Sequence, residues 1–277
     1  MVKSSIYKII SLCLISDIAS AGAWLQPEGK YEIITHFEYN SLHYNDTDYQ
    51  ANITAKAKEF SFQFYDLLLQ YGANKNSTIG TKFRWFDYKG FAEYYPEDYD
   101  NFNYAKQISY SENSYYQKTE NHLLKADFFL QNELWSNNHS IFSVQTNFTI
   151  YPNNIDTRYA AIGAKLLYGQ NFSFINKDHY INMELGFNRI LDELTNRNKM
   201  VNLDLTLGIR ATKKITAIFQ TFSDFYLESR EYNHIGQFSL LYHYNKNISW
   251  QTGYSTNLNK RNSYVTQSYI TGIWIKF

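Results

Sequence analysis

Charged side chains recur at alternate positions along this chain, set between apolar residues. Lys82 and Arg84 flank Phe83, and Lys125 and Asp127 flank Ala126. Glu32, Glu38, Glu59, Glu133, Lys165, Glu184, Asp204, Arg210 and Lys276 hold the equivalent polar positions of other alternating segments. A two-residue period puts every second side chain on one face. These groups, six cations and seven carboxylates, would therefore gather on a common surface. Rings of one sign make an ion-selective passage. A mixture of signs either lines a water-filled passage with weak selectivity or pairs off and closes it.

Other chemistry could centre on the histidines at 36, 43, 122, 139, 179, 234 and 243. An acyl hydrolase needs a Ser–His pair oriented by a third group. Asn138-His139-Ser140 holds the right residue types but falls in a short polar turn. His43, Asp46 and Asp48 share one segment without a protease motif. His36 and His243 fall on polar strand faces, where they could bind a ligand or a proton. The acidic cluster Glu97, Asp98 and Asp100 lacks the spacing of a calcium loop. There is one Cys, at 13, so neither a disulfide nor a Cys-based zinc site is expected. No cofactor-binding motif is present. A formal net charge of zero gives no electrostatic footprint for nucleic acid.

The elements that position these residues read as strands. In 141–150, Phe142, Val144, Phe148 and Ile150 alternate with Ser143, Gln145 and Asn147. In 200–210, five aliphatic residues from Val201 to Ile209 alternate with Asn202, Asp204, Thr206, Gly208 and Arg210. Segments 31–39, 179–188 and 269–277 are as regular, with Ile34 out of phase. Weaker alternation covers 59–64, 79–85, 124–131, 162–168, 237–244 and 250–255; 215–222 is ambiguous in phase. In 59–64 the phenylalanines at 60, 62 and 64 read as the outward apolar face. These are twelve segments. Short polar turns at 72–76, 136–139, 211–214 and 245–247 alternate with longer connections at 43–55, 88–120, 151–158, 191–198, 223–233 and 257–264. The connection at 169–178 is a longer one on the short-turn side. Short turns on one rim and long loops on the other are the layout of a transmembrane β-barrel.

Aromatic residues make up 18% of the chain, too many for a disordered one. They cluster at strand ends, as at Tyr39, Trp85, Trp135, Tyr168 and Tyr254, where girdles would meet the membrane–water boundary. A soluble sandwich would alternate too, but would not need such girdles. The expected fold is all-β: an antiparallel transmembrane β-barrel of about 12 strands, with 10 or 14 also compatible with the spacing. Closure would pair 31–40 with 269–277. Residues 1–23 read as a signal peptide: Lys3 and Lys8, a short apolar run from Ile9 to Ile18, then Ala19-Ser20-Ala21 or Ala21-Gly22-Ala23 as cleavage site. Residues 24–277 would form the single barrel domain.

The ending Gly272-Ile273-Trp274-Ile275-Lys276-Phe277 resembles the C-terminal signature of Gram-negative outer-membrane β-barrels. That resemblance implies the bacterial outer membrane as location. It also implies outer-membrane lipid and the barrel-insertion machinery, reading the strand that ends at Phe277, as partners. The stretch Gly22-Ala23-Trp24-Leu25-Gln26-Pro27-Glu28-Gly29 is similar to outer-membrane transporters of the phenol meta-pathway type.

Three functions follow as expectations. The first is a narrow passive pore for small solutes, lined by the charged faces named above. The second is a closed, surface-exposed barrel acting through its loops as an adhesin or structural protein. The third is an outer-membrane hydrolase. The 88–120 connection, rich in tyrosine, supplies the loop candidates Tyr94, Tyr95, Tyr99 and Tyr104, whose rings suit stacking on a solute.

Overall fold

A computed structural model describes residues 23–44, 55–94, 109–111, 114–151, 159–175, 177–191, 199–228, 230, 232–258 and 264–277; all structural statements concern these. They hold no helix. The strands are β1 (Tyr31–Tyr44), β2 (Ala55–Asn74), β3 (Ser77–Tyr94), β4 (Ser109–Ser111), β5 (Ser114–Ser136), β6 (Ser140–Tyr151), β7 (Tyr159–Phe174), β8 (Lys177–Ile190), β9 (Lys199–Arg210), β10 (Ile215–Tyr226), β11 (Tyr232–His243), β12 (Ile248–Asn257) and β13 (Tyr264–Lys276). Every neighbour pairs antiparallel. β1 joins β13 from Glu32↔Lys276 to Tyr44↔Tyr264, and β3 joins β5, so the sheet has no free edge. Twelve long strands close the barrel; β4 is a three-residue addition paired to the start of β5.

Closure is what a lipid environment demands, because no water is there to satisfy an open edge. The outer surface fits that environment. Ile79, Phe128, Phe148, Leu166, Leu185, Phe219, Phe238 and Ile273 are all exposed on it. Water would oppose so large an apolar patch. Tyr31 and Tyr39 bracket the band on β1, with eight residue steps between them. That is roughly 26 Å along the strand, or about 20 Å of height at usual barrel tilt.

Several boundaries differ from the sequence reading. The strands β3 and β5 extend into both ends of 88–120, over 88–94 and 114–120, with Tyr94 paired to Tyr115. Backbone pairing continues past the apolar band, where no alternation marks it. The 169–178 connection is strand up to Phe174, then a tight turn at Ile175 (φ 52°), then β8. In β2 the phase is opposite to the expected one. Phe64 faces inward, because its ring lies 4.9 Å from that of Phe86 and beneath the Arg84 guanidinium at 5.3 Å. β10 resolves its ambiguity with Thr216, Ile218, Gln220 and Phe222 inward.

Candidate functional site: the barrel lumen

The inward face of each strand carries the polar half of its alternation. On β1 the buried residues are Glu32, Ile34, His36, Glu38 and Asn40. Ile34 breaks the polar pattern because it packs with Leu68, Phe129 and Trp274 in an apolar cluster inside the barrel.

Several of the expected lumen charges pair along the wall, between neighbouring strands or along one strand. Arg84, only 1% exposed, grips Asp66 with two parallel bonds: Nε to Oδ1 at 2.7 Å and Nη2 to Oδ2 at 2.8 Å. Lys82 Nζ stands 3.9 Å from the same carboxylate. Lys165 reaches Glu184 at 3.3 Å across β7 and β8. Lys125 pairs with Asp127 at 3.1 Å, and Thr149 donates its hydroxyl to Asp127. Lys276 meets Glu32 at 3.3 Å where the barrel closes. Glu38 and Asp204 are buried on inward faces of β1 and β9. Arg210 lies at the short-turn rim and donates to the Lys213 carbonyl at 2.9 Å. Glu133 sits at a β-bulge beside that rim, accepting from Ser136. The Glu59 side chain lies outside the described residues, as do Tyr95, Tyr99, Tyr104 and the side chain of Tyr94.

Asp66, the centre of the strongest pair, was absent from the sequence reading. Its signal was available: Leu67, Leu69 and Tyr71 alternate outward, which places Asp66 and Gln70 inward. An amide ladder was also unforeseen. Asn147 donates to Asn188 at 3.2 Å across Gly163, Asn188 donates to Asn202 at 2.6 Å, and Asn202 donates to Asp224. It lines the half of the lumen toward the long-loop rim.

At the opposite end, residues 23–29 fold into the lumen as a strap. The Ala23 carbonyl accepts from Gln131 Nε2 at 2.9 Å and Ser143 Oγ at 3.1 Å. Ala23 packs with Ile141 and Leu167, joined by Trp24 and Leu25. Gln26 donates its amide N–H to Thr78 Oγ1 at 2.8 Å and its side chain to Glu32 at 2.7 Å and Gln70 at 3.0 Å. Gly29 and Lys30 bond both ways to Gly72. The strap thus touches β1, β2, β3, β5, β6 and β7. Two wall glycines make room for it. A Cβ on Gly72 would lie 2.1 Å from the Pro27 carbonyl oxygen, and one on Gly169 would lie 2.8 Å from Trp24 Nε1. Beneath and beside the strap is a cavity of about 750 Å³, reached by Trp24, Gln26, His36, Asn182, Gln251 and Trp274 among others.

Catalytic and metal chemistry find less support. Among the described residues, no group of three or more His, Cys, Asp or Glu is placed to hold a metal ion. The Asn138-His139-Ser140 turn is held by Asn137 Oδ1, which accepts the backbone N–H groups of His139 and Ser140. A Ser–His contact does occur elsewhere: Ser223 Oγ lies 2.7 Å from His234 Nδ1. Ser223 is 8% exposed.

No protein-family model and no curated protein sequence matches the chain. Solved structures do match its fold. The COG4313 outer membrane channel from Pseudomonas putida F1 aligns with a TM-score of 0.61 at 9% identity, covering 94% of this chain and 100% of that one. The NanC porin gives 0.52 at 9% identity over 87% and 100%. The transport unit of the autotransporter AIDA-I from Escherichia coli gives 0.52 at 10% identity over 99% and 98%. The chain shares with them the closed antiparallel barrel.

Proposed function

We propose that this chain is a passive outer-membrane pore for small solutes, narrowed by its own N-terminal strap. The observation that carries the reading is the wall-paired lumen. The ion pairs of Arg84 with Asp66 and Lys165 with Glu184 run between adjacent strands and that of Lys125 with Asp127 along one strand, so they neutralise charge along the wall. A passage of that kind favours uncharged or weakly charged solutes over strong ion selection. The solved channel and porin with the same fold support the same class. The outward apolar band and the fold shared with outer-membrane channels support placement in the bacterial outer membrane. The C-terminal strand would address the insertion machinery, with Phe277 exposed and its amide bonded to the Tyr31 carbonyl at 2.9 Å.

Single-channel conductance of the refolded mature protein in a planar bilayer tests the proposal, with folding checked by heat-modifiable gel mobility. Discrete steps scaling with salt support a pore. A folded barrel without steps overturns it and favours the closed barrel acting through its long loops. The strap inside the lumen, and the fold shared with an autotransporter transport unit, give that second reading its observations.

A further inference from the structure

The two rims of the barrel carry opposite charge. The short-rim connections at 72–76, 136–139, 169–178, 211–214 and 245–247 hold Lys75, Lys177, Lys213, Lys214 and Lys246 against Asp178 alone. The six longer connections of the other rim hold 14 Asp and Glu against 8 Lys and Arg. The 750 Å³ cavity beside the strap reaches the cationic rim, because Asn138, Lys246 and Asn247 of two short turns line it. Besides histidines, its ionisable lining is three cations, Arg210, Lys246 and Lys276, and two carboxylates, Glu32 and Asp178. With the histidines neutral, one positive charge is left over.

The carboxylates are engaged within the protein. Glu32 accepts from Gln26 at 2.7 Å on Oε2 and meets Lys276 at 3.3 Å on Oε1, and Asp178 accepts from Ser173 Oγ at 3.0 Å. The cations keep donors to give. A guanidinium carries five N–H groups. Among the described residues, the Arg210 side chain spends one hydrogen bond, from Nη2 to the Lys213 carbonyl at 2.9 Å, which fixes it at the mouth. The Lys276 side chain stays 59% exposed beside Glu32. Lys246 is exposed and forms no ion pair among the described residues. These three stand on β9, on the turn before β12 and on β13, and so form an arc around the mouth. The planar fork of an arginine matches the two oxygens of a carboxylate. One spare positive charge balances a singly charged anion and repels a cation. Trp24 and Trp274 line the same space with apolar rings, which suit the carbon part of an organic ion.

We infer that the short-turn mouth of the barrel is a binding site for small, singly charged organic carboxylates, with Arg210 taking the carboxylate between Lys246 and Lys276. The inference deepens the pore reading by naming its solute, and rests on it only for passage through the lumen. The paired wall leaves selection to this mouth, and the acidic rim at the other end gives an anion a field directed toward it. The site itself needs only the folded barrel.

Tryptophan quenching reads the sign of the mouth directly. The chain has five Trp, of which Trp85, Trp135 and Trp250 are each 52% exposed on the outer face. A W85F/W135F/W250F protein keeps Trp24 and Trp274 as reporters in the cavity. It is refolded into an uncharged detergent and quenched separately with iodide, caesium and acrylamide at fixed ionic strength, each relative to free N-acetyltryptophanamide. Iodide is expected to quench at least threefold more strongly than caesium. Arg210→Gln and Lys246→Gln should each reduce that ratio, while quenching by uncharged acrylamide stays the same. Exchange of chloride for acetate should protect against iodide saturably. Arg210→Lys should lose the protection and keep the preference for iodide. If the Arg210 variants or the triple variant do not fold, Lys246→Gln in the five-Trp chain carries the test, since Lys246 is exposed in a turn and the outer indoles lie under detergent. It should raise the acetate midpoint at least threefold. Equal quenching by the two ions overturns the inference, as does an iodide preference that acetate does not reduce. Conductance steps without an iodide preference leave the pore reading standing and remove this one. Iodide preference with acetate protection in a barrel that never conducts does the reverse.

Discussion

Gln26→Ala is expected to loosen the strap and raise the open-lumen current. The substitution removes two hydrogen bonds from the Gln26 amide, to the Glu32 carboxylate at 2.7 Å and to Gln70 Oε1 at 3.0 Å. A bond to a charged group contributes about 1.5–3 kcal/mol and a neutral one about 0.5–1.5 kcal/mol. Together they hold the strap in place by about 2–4 kcal/mol. The opposing term is the ordering of residues 23–27, at about 1–2 kcal/mol per residue. The Ala23 carbonyl bonds, the Gln26 amide bond to Thr78 and the packing of Trp24 and Leu25 share in offsetting that cost, and a loss of this size multiplies the strap's out-to-in ratio by roughly thirty to several hundred. Gly72→Ala should act the same way through a different cause, because its Cβ would press on the Pro27 carbonyl at 2.1 Å. Single-channel recordings of both variants should show a larger conductance state visited far more often than in the parent. Trypsin-independent strap release can be followed in parallel by thiol labelling of a Leu25→Cys variant, which should become reactive. The reasoning is refuted if both variants fold, as judged by gel mobility, and conduct with the parent's amplitude and state occupancy.

Three further outcomes follow from the same geometry. Arg84→Met leaves Asp66 buried beside Lys82 at 3.9 Å and should destabilise the barrel by about 3–5 kcal/mol in urea unfolding, while Asp66→Asn combined with it should recover a large part. An equal loss in the double variant would mean the pair is not the cause. Leu185→Arg places a charge on the outward face, where Leu185 is 49% exposed; insertion into bilayers should weaken by about 2–4 kcal/mol, and an unchanged equilibrium would mean that face does not meet lipid. For the signal peptide expected at 1–23, cleavage after Ala21 would keep the Ala23 carbonyl that binds Gln131 and Ser143, so we expect the intact mass of the exported protein to correspond to a start at Gly22; a start at Trp24 would contradict the strap's anchoring.

Much of the barrel is legible locally. In 141–150 and 200–210 the side-chain period of two belongs to each strand by itself, so the faces can be assigned without knowing the neighbours. The closing pair is legible for the same reason, and β1 and β13 meet as their matched apolar faces require. The lumen charges at Lys82, Arg84, Lys125, Lys165 and Glu184 follow from that phase. Their partners do not. Asp66 was hidden because Phe60, Phe62 and Phe64 read as a lipid face, and an aromatic ring is equally at home against lipid or under a guanidinium. Only the register that sets Asp66 opposite Arg84 decides between these.

The sequence by itself determined an all-β chain with one polar and one apolar face and short turns on one rim, because each depends on residues within a few positions of one another. The tertiary structure alone decided where the chain ahead of β1 goes. The strap at residues 23–29 shows no periodicity, and the glycines that admit it stand at 72 and 169, far along the chain. Room for a backbone inside a barrel is made jointly by several strands, and no single segment records it. The cavity that Arg210 and Lys276 line is a property of the same closure: the two residues stand on β9 and β13, and only the closed sheet turns both toward one space.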